Sequence, residues 1–262
     1  MGIESVIDLI ETLRGKNGCP WDRKQTPQTI LAYLLEETYE LMDAVESDEP
    51  EEICGELGDV LFHIFFLISL FNEKGYFGIK DVVDQNVEKM IRRHPHVFAN
   101  DSVDSADDVR KKWYKIKMEE KNASSATSIL DSIPASLPAL MRAYRISERA
   151  ARTGFDWEDL SGVMEKVEEE WSELKAELQR QKESGENRHH LALEFGDILF
   201  TLVNVARFAN FHPETALRDA TNKFEKRFRR MEKQIANSQR DIRSVSQEEK
   251  DALWEEAKDS IG

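Results

Sequence analysis

ELGDVLF at Glu56–Phe62 returns as EFGDILF at Glu194–Phe200. In each copy a Glu and an Asp three residues apart share one face of a helix, at about 100° per residue. The residues that follow are apolar nearly all round: Val60, Leu61, Phe62, Ile64 and Phe65 in one copy, Ile198, Leu199, Phe200, Leu202 and Val203 in the other. Such a pattern marks a helix surrounded by other helices. Outward from this pair the echo widens. EETYEL at Glu36–Leu41 returns as EEWSEL at Glu169–Leu174, and Lys89 and Arg93, four apart after Asn86, answer Lys223 and Arg227 after Asn222. Trp113 and Lys117 answer Trp254 and Lys258, and Trp21 of GCPWD answers Trp157 of GFDWE. A solenoid needs at least three stacked units, so two copies read as two domains of one fold.

Helical periodicity runs through both copies. Leu34, Thr38, Leu41, Met42 and Val45 fall on one stripe, as do Val163, Val167, Trp171, Leu174 and Leu178. A chain rich in Glu, Lys, Leu and Ala, with 12 Gly and 7 Pro in 262 residues, favours helices over strands. The expectation is an all-α protein of two tandem helical bundles with little or no sheet. Small and polar residues with two prolines occupy EEKNASSATSILDSIPASLP between Glu119 and Pro138, the composition of a linker. This sets expected domains at 1–121 and 139–262, joined by 122–138.

A net charge of -15 repels a polyanion, so binding along a nucleic acid polymer is not expected. Small phosphates remain accessible, because a divalent cation can bridge acidic protein to acidic ligand. Cys19 and Cys54 are too few for a disulfide framework, and no basic-led apolar leader opens the chain, which points to a reducing cytoplasm. Gly2 lacks the Ser or Thr that acylation requires, since that position is Val6. The run Val60–Phe71 contains His63 and reads as too short to span a bilayer, so no membrane partner is expected.

Glu37 and Glu40 lie within about 60° of each other beside their apolar stripe, as do Glu170 and Glu173. Such pairs are commonly solvated. Glu56 with Asp59, and Glu194 with Asp197, sit instead on strongly apolar helices, where an unpaired charge costs several kcal/mol or takes up a proton. Two helices that each bring two acids supply four hard oxygen ligands, a set suited to Mg2+ with water and phosphate oxygens in its remaining positions.

EExxE followed by ExxD after an intervening loop resembles the metal motif of the all-α nucleoside triphosphate pyrophosphohydrolases, and the order of both halves resembles the two-domain MazG family nearly end to end. CPWDRKQT (Cys19–Thr26), RRHPHVF (Arg92–Phe98) and WYKIKMEEK (Trp113–Lys121) also look like that family's N-terminal domain. The resemblance implies a Mg2+-dependent enzyme that splits a nucleoside triphosphate into monophosphate and diphosphate, cutting between the α and β phosphates. A role in clearing the nucleotide pool with broad base tolerance, and a homodimer, are further expectations it carries. It implies metal ligands Glu170, Glu173, Glu194 and Asp197, with Glu169 as a further catalytic acid. Nucleotide contacts are implied at Lys166, Val167, Glu168, Glu169 and Glu170, and at His190, Leu191, Ala192, Leu193 and Asp197. Others are implied at Lys223, Phe224, Glu225, Lys226 and Arg227, and at Trp254. A second site would use Glu36, Glu37, Glu40, Glu56 and Asp59, with Lys89, Arg93, Trp113 and Lys117 on the nucleotide side. The residue types agree with these roles, since Lys223 and Arg227 are one turn apart and an indole can cover a base or ribose. Gly55 and Leu193 stand where the family often has another Glu, so neither is expected to be catalytic.

Weaker features have plainer readings. His94 and His96 flank Pro95 without a third ligand at suitable spacing. Glu186 and His189 match ExxH by spacing alone, within a polar segment. Gly58 and Gly196 are expected to mark close helix packing. Two rival functions are a carboxylate-bundle metal-binding protein and an acidic helical module for a basic partner. The first needs paired ExxH ligands on core helices, and the second leaves acids within apolar helices unexplained.

Overall fold

A computed structural model describes residues 2–99, 101–122, 128–184 and 188–261. Among the described residues every regular element is helical, in two compact units, Met1–Ser124 and Ser125–Gly262.

The first unit holds α1 (Ile3–Arg14), α2 (Pro27–Ser47), α3 (Pro50–Glu73), α4 (Ile79–Arg93), the single turn α5 (Pro95–Phe98) and α6 (Ala106–Asn122). Thr26 caps α2: its hydroxyl accepts from the Thr29 amide at 3.3 Å while the Thr29 hydroxyl accepts from the Thr26 amide at 2.9 Å. Pro27 then occupies a first-turn position where its missing N–H costs nothing. Asp48 ends the helix in the left-handed region at φ 57°, and Pro50 starts α3 two residues on, so α2 and α3 form an antiparallel hairpin. α1 packs across α3. Ile10, Ile30, Phe65, Phe66 and Leu70 make the core, with Phe66 wholly buried. Arg14 lies over the Phe66 ring at 5.3 Å and donates to the Asp22 carbonyl at 2.6 Å and to Glu73 Oε2 at 2.7 Å.

The second unit holds α7 (Ala139–Ala151), α8 (Leu160–Ser184), α9 (Arg188–Phe208), α10 (Pro213–Asn237) and α11 (Gln247–Ile261). α8 pairs with α9, α7 lies on α9, and α10 pairs with α11 around Met231, Ile235 and Val245. The Arg149 guanidinium donates to the Ile129 carbonyl at 2.7 Å and to the Ser132 hydroxyl, which fastens chain just before α7 onto that helix. Those two residues belong to the stretch with linker composition; residues 123–127 of that stretch lie outside the described residues.

Several expectations are corrected. α3 and α9 are not enveloped: α3 exposes Leu57, Leu61 and Ile64, and α9 exposes Leu193, Phe195, Leu199, Phe200 and Leu202. Two or three neighbouring helices leave part of a helix's circumference uncovered. For the same reason Gly58 and Gly196 do not mark close packing within the unit, since a Cβ built on either meets nothing within 4 Å. Of the two apolar stripes, Val163 and Leu174 are buried, whereas Val45, Trp171 and Leu178 are exposed. α3 as a whole has 24 residues, long and apolar enough to cross a membrane by length and composition, so the shorter run Val60–Phe71 understated it. Cys19 and Cys54 are free thiols.

Candidate active site

In the second unit, α8 and α9 bring Glu170, Glu173 and Glu194 together, with one carboxylate oxygen from each within 4.8 Å of the others. Glu170 is buried, Glu194 half-buried and Glu173 exposed. Asp197, one turn beyond Glu194, is exposed and stands outside this trio, yet its charge acts on it. Burial first, and then the charges of Glu173, Asp197, Glu170 and Glu177, push the Glu194 carboxyl above its ordinary value. Lys166 counters them. Its ammonium lies 2.7 Å from Glu170 Oε1 and 3.0 Å from Glu169 Oε1, and the hydrogen bonds to Glu170 and then Glu169 raise its own pKa.

Sequence reasoning missed Glu177, which is buried one turn past Glu173 and paired with Arg180. It continues the acidic face of α8 at i, i+4 spacing, a signal that was there to be found.

The first unit has a related trio, Glu37, Glu56 and Asp59, with oxygens again within 4.8 Å of one another, but with one acid from α2 and two from α3 where the second unit draws two from α8 and one from α9. Glu40 lies outside the trio. Burial raises the Glu37 pKa, helped by Glu40, opposed by His63, and helped again by Asp59 and Glu56. Glu56 Oε2 is buried with no hydrogen-bond partner. An orphaned carboxylate oxygen beside two other acids is a poor resting state for protein alone and a good one for a hard cation. Both donor sets offer the hard oxygen ligands that suit a divalent cation. The expectation that these acids are all held away from water is too strong: Asp59 and Asp197 are exposed, because the α3 and α9 faces that carry them lack a covering helix.

The residues on the nucleotide side are distributed more widely. His190, Leu191, Ala192 and Leu193 form the early turns of α9, next to Glu194 in sequence. Lys223 through Arg227 lie on α10, which packs on α7 and α9 and, among the described residues, not on α8. Arg227 Nε is buried without a hydrogen-bond partner. The Trp254 ring packs against Phe224 at 5.0 Å, and Glu225 pairs with Arg229. In the first unit Arg93 and Lys117 both lie over Trp113, at 5.3 and 4.9 Å. Glu120 accepts from Arg93 Nη2 at 2.6 Å and from Arg92 Nε at 2.7 Å, which lowers its pKa. His94 and His96 have ring centroids 5.7 Å apart, and neither joins a candidate metal group among the described residues. Glu186 lies outside the described residues.

A helical hairpin that focuses carboxylates on one spot, present twice in an all-helical chain, is the architecture of an all-α nucleotide pyrophosphohydrolase. The family model of the MazG nucleotide pyrophosphohydrolase domain matches at residues 25–98 and again at 158–231. The chain belongs to the MazG family. It is 40% identical to the nucleoside triphosphate pyrophosphohydrolase of Escherichia coli strain K12, over 98% of this chain and 97% of that one. Identity is 42% to the nucleoside triphosphate pyrophosphohydrolase/pyrophosphatase MazG of Thermotoga maritima, over 97% and 95%. It is 44% to the uncharacterized protein YabN of Bacillus subtilis, over 96% of this chain and 50% of that one.

Proposed function

We propose that this MazG-family enzyme hydrolyses nucleoside triphosphates to the monophosphate and diphosphate with Mg2+ held by Glu170, Glu173, Glu194 and Asp197. The observation that carries this reading is the trio of carboxylate oxygens within 4.8 Å, one of them on the buried Glu170. When bound, the cation neutralises phosphate charge and activates water for in-line attack. The chain's own residues do the rest. Glu170 and Glu194 fix the ligand geometry from two facing helices. Glu169, exposed beside them, orients water, and Lys166 is freed from the carboxylates to meet a phosphate oxygen. Lys223 and Arg227 grip the outgoing diphosphate. No side-chain nucleophile is needed.

Glu37, Glu40, Glu56 and Asp59 form a second, lesser site by the same logic. We place the domains at 1–121 and 139–262 and the enzyme in the cytoplasm, as a broad-specificity guardian of the nucleotide pool. It acts as a homodimer. The uncovered faces at Leu57, Leu61 and Ile64 and at Leu193, Leu199 and Leu202 support that state, and the open space at Gly58 and Gly196 lets a second chain approach closely. Phosphorus NMR of a reaction run with Mg2+ is the test. Monophosphate and diphosphate are expected, whereas nucleoside diphosphate and orthophosphate would overturn the reaction while sparing the metal site.

A further inference from the structure

A cavity of about 640 Å3 in the second unit lies between α7 and α9, with apolar walls of Leu130, Ile146, Ala150, Phe155, Trp157 and Phe200. Phe200 and Asn204 follow Asp197 by three and seven residues, within about 60° and about 20° of its direction on α9. They lie about 4.5 and about 10 Å further along the helix axis. The acids and the cavity thus share one face of a single helix. That separation suits a molecule with phosphates at one end and a ring at the other.

We propose that this cavity receives the nucleobase of the triphosphate, and that the chain just before α7 forms its specificity-determining wall. The proposal rests on the reading of the site given above. A concave, mostly apolar space edged by aromatic rings stacks a planar ring well. Its polar floor is already committed. Arg207 Nη1 donates to Asp156 at 2.8 Å and Nε to the Ser147 hydroxyl at 2.7 Å. Ser147 donates to Asn204 Oδ1, and Asn204 Nδ2 donates to the Phe200 carbonyl at 3.0 Å. Ser147 and Asn204 are both buried. Groups satisfied by one another present no free edge pattern to a base, so the cavity reads ring size and stacking, not hydrogen-bond identity. Leu130 reaches the cavity because Arg149 holds its neighbours Ile129 and Ser132.

In the first unit the corresponding space is smaller, about 120 Å3, and is lined among others by Ile10, Glu11 and Ser69. Aligning the GCPWD and GFDWE blocks sets Arg14 against Ala150, and aligning the ELGD and EFGD blocks sets Phe66 against Asn204. Phe66 is wholly buried there, with Arg14 lying over it. The base cavity belongs to the C-terminal copy.

Equilibrium dialysis of adenosine and cytidine against the full chain with Mg2+ tests the cavity without any phosphate. Wild type is expected to bind both, within about tenfold of each other. Leu130→Phe and Ala150→Leu, which fill the space from two sides, should each weaken both by about tenfold or more and raise KM for ATP with kcat nearly unchanged. Circular dichroism shows which variants are folded, and either one alone suffices. Undiminished nucleoside binding in a folded variant would overturn the proposal, as would no binding by wild type or a loss confined to Trp254→Leu. Failure of the reaction itself shows separately, as the wrong phosphate products with nucleoside binding intact.

Discussion

Tyr33 in the first unit stands where Lys166 stands in the second, four residues before Glu37 and Glu170 respectively. At the second cluster, the Lys166 ammonium holds Glu170 of the trio and its sequence neighbour Glu169. Around the first, a phenol packs with Trp21 at 5.7 Å and with His63 at 6.1 Å, and only the imidazole's field opposes the acids at Glu37. The second difference lies beside the clusters, where Phe66 and Arg14 stand in the places of Asn204 and Ala150 and the space is about 120 Å3 instead of about 640 Å3. Two acidic clusters thus sit in unequal surroundings.

The most direct way to break this comparison is a pair of double variants. Glu170→Gln with Asp197→Asn should lower turnover by more than about 100-fold, beyond what losing a partner outside the ligand set usually costs. Glu37→Gln with Asp59→Asn should retain most of it. Both proteins should remain folded without Mg2+, because neutral amides relieve carboxylate repulsion. Steady-state rates at saturating Mg2+ with circular dichroism as control decide it, and the reverse order of losses would invert the ranking of the two sites.

A smaller effect is expected at Lys166. Lys166→Met removes the counterion of Glu170, so the metal-free protein should lose on the order of 1 kcal/mol, since the partly exposed ammonium is screened by water. Mg2+ affinity in isothermal titration should rise even though catalysis falls. Affinity that drops along with activity would mean that Lys166 supports the ligand geometry.

Acidity gives a further contrast. The Glu194 carboxyl is raised above 4.5, so in the fold it takes a proton more readily than in the unfolded chain. Without metal, its ionisation works against the fold, and lowering the pH from neutral toward the raised value relieves that stress. With metal the sign reverses for binding: protons compete for the ligand, and Mg2+ affinity should fall over the same window above pH 4.5. Glu37 predicts a parallel trend in the first unit. Titrations stepped from pH 7 down to pH 4.5 that agree throughout would remove Glu194 from the ligand set. The smallest expected effect is that of Tyr33→Lys, which copies the second unit's counterion into the first and should stabilise the metal-free chain by less than about 1 kcal/mol in thermal melts.

Much of this was legible in the chain because helices repeat their chemistry at short spacing. The duplicated EExxE and ExxD elements marked α2, α3, α8 and α9, and the acids that the clusters draw on. Periodicity shows which face of a helix is apolar but not whether anything covers it, and so it misjudged Leu61, Leu199, Gly58 and Gly196. The cavity was hidden for another reason. It depends on contacts between α7 and α9, where Ser147 and Asn204 meet from distant parts of the sequence, and on Arg149 fastening Ile129. A linker-like composition says nothing about whether part of the segment is bound.

The Phe66 and Arg14 plug also bears on heat. A unit whose interior is filled melts later than one that keeps a ligand-sized void at its side, other things being equal. The calorimetric trace of the nucleotide-free chain should therefore split, the C-terminal unit absorbing heat first, and a nucleotide analogue with Mg2+ should move that lower endotherm upward the most. The repeat would then carry its tolerance to temperature in one half and its chemistry in the other.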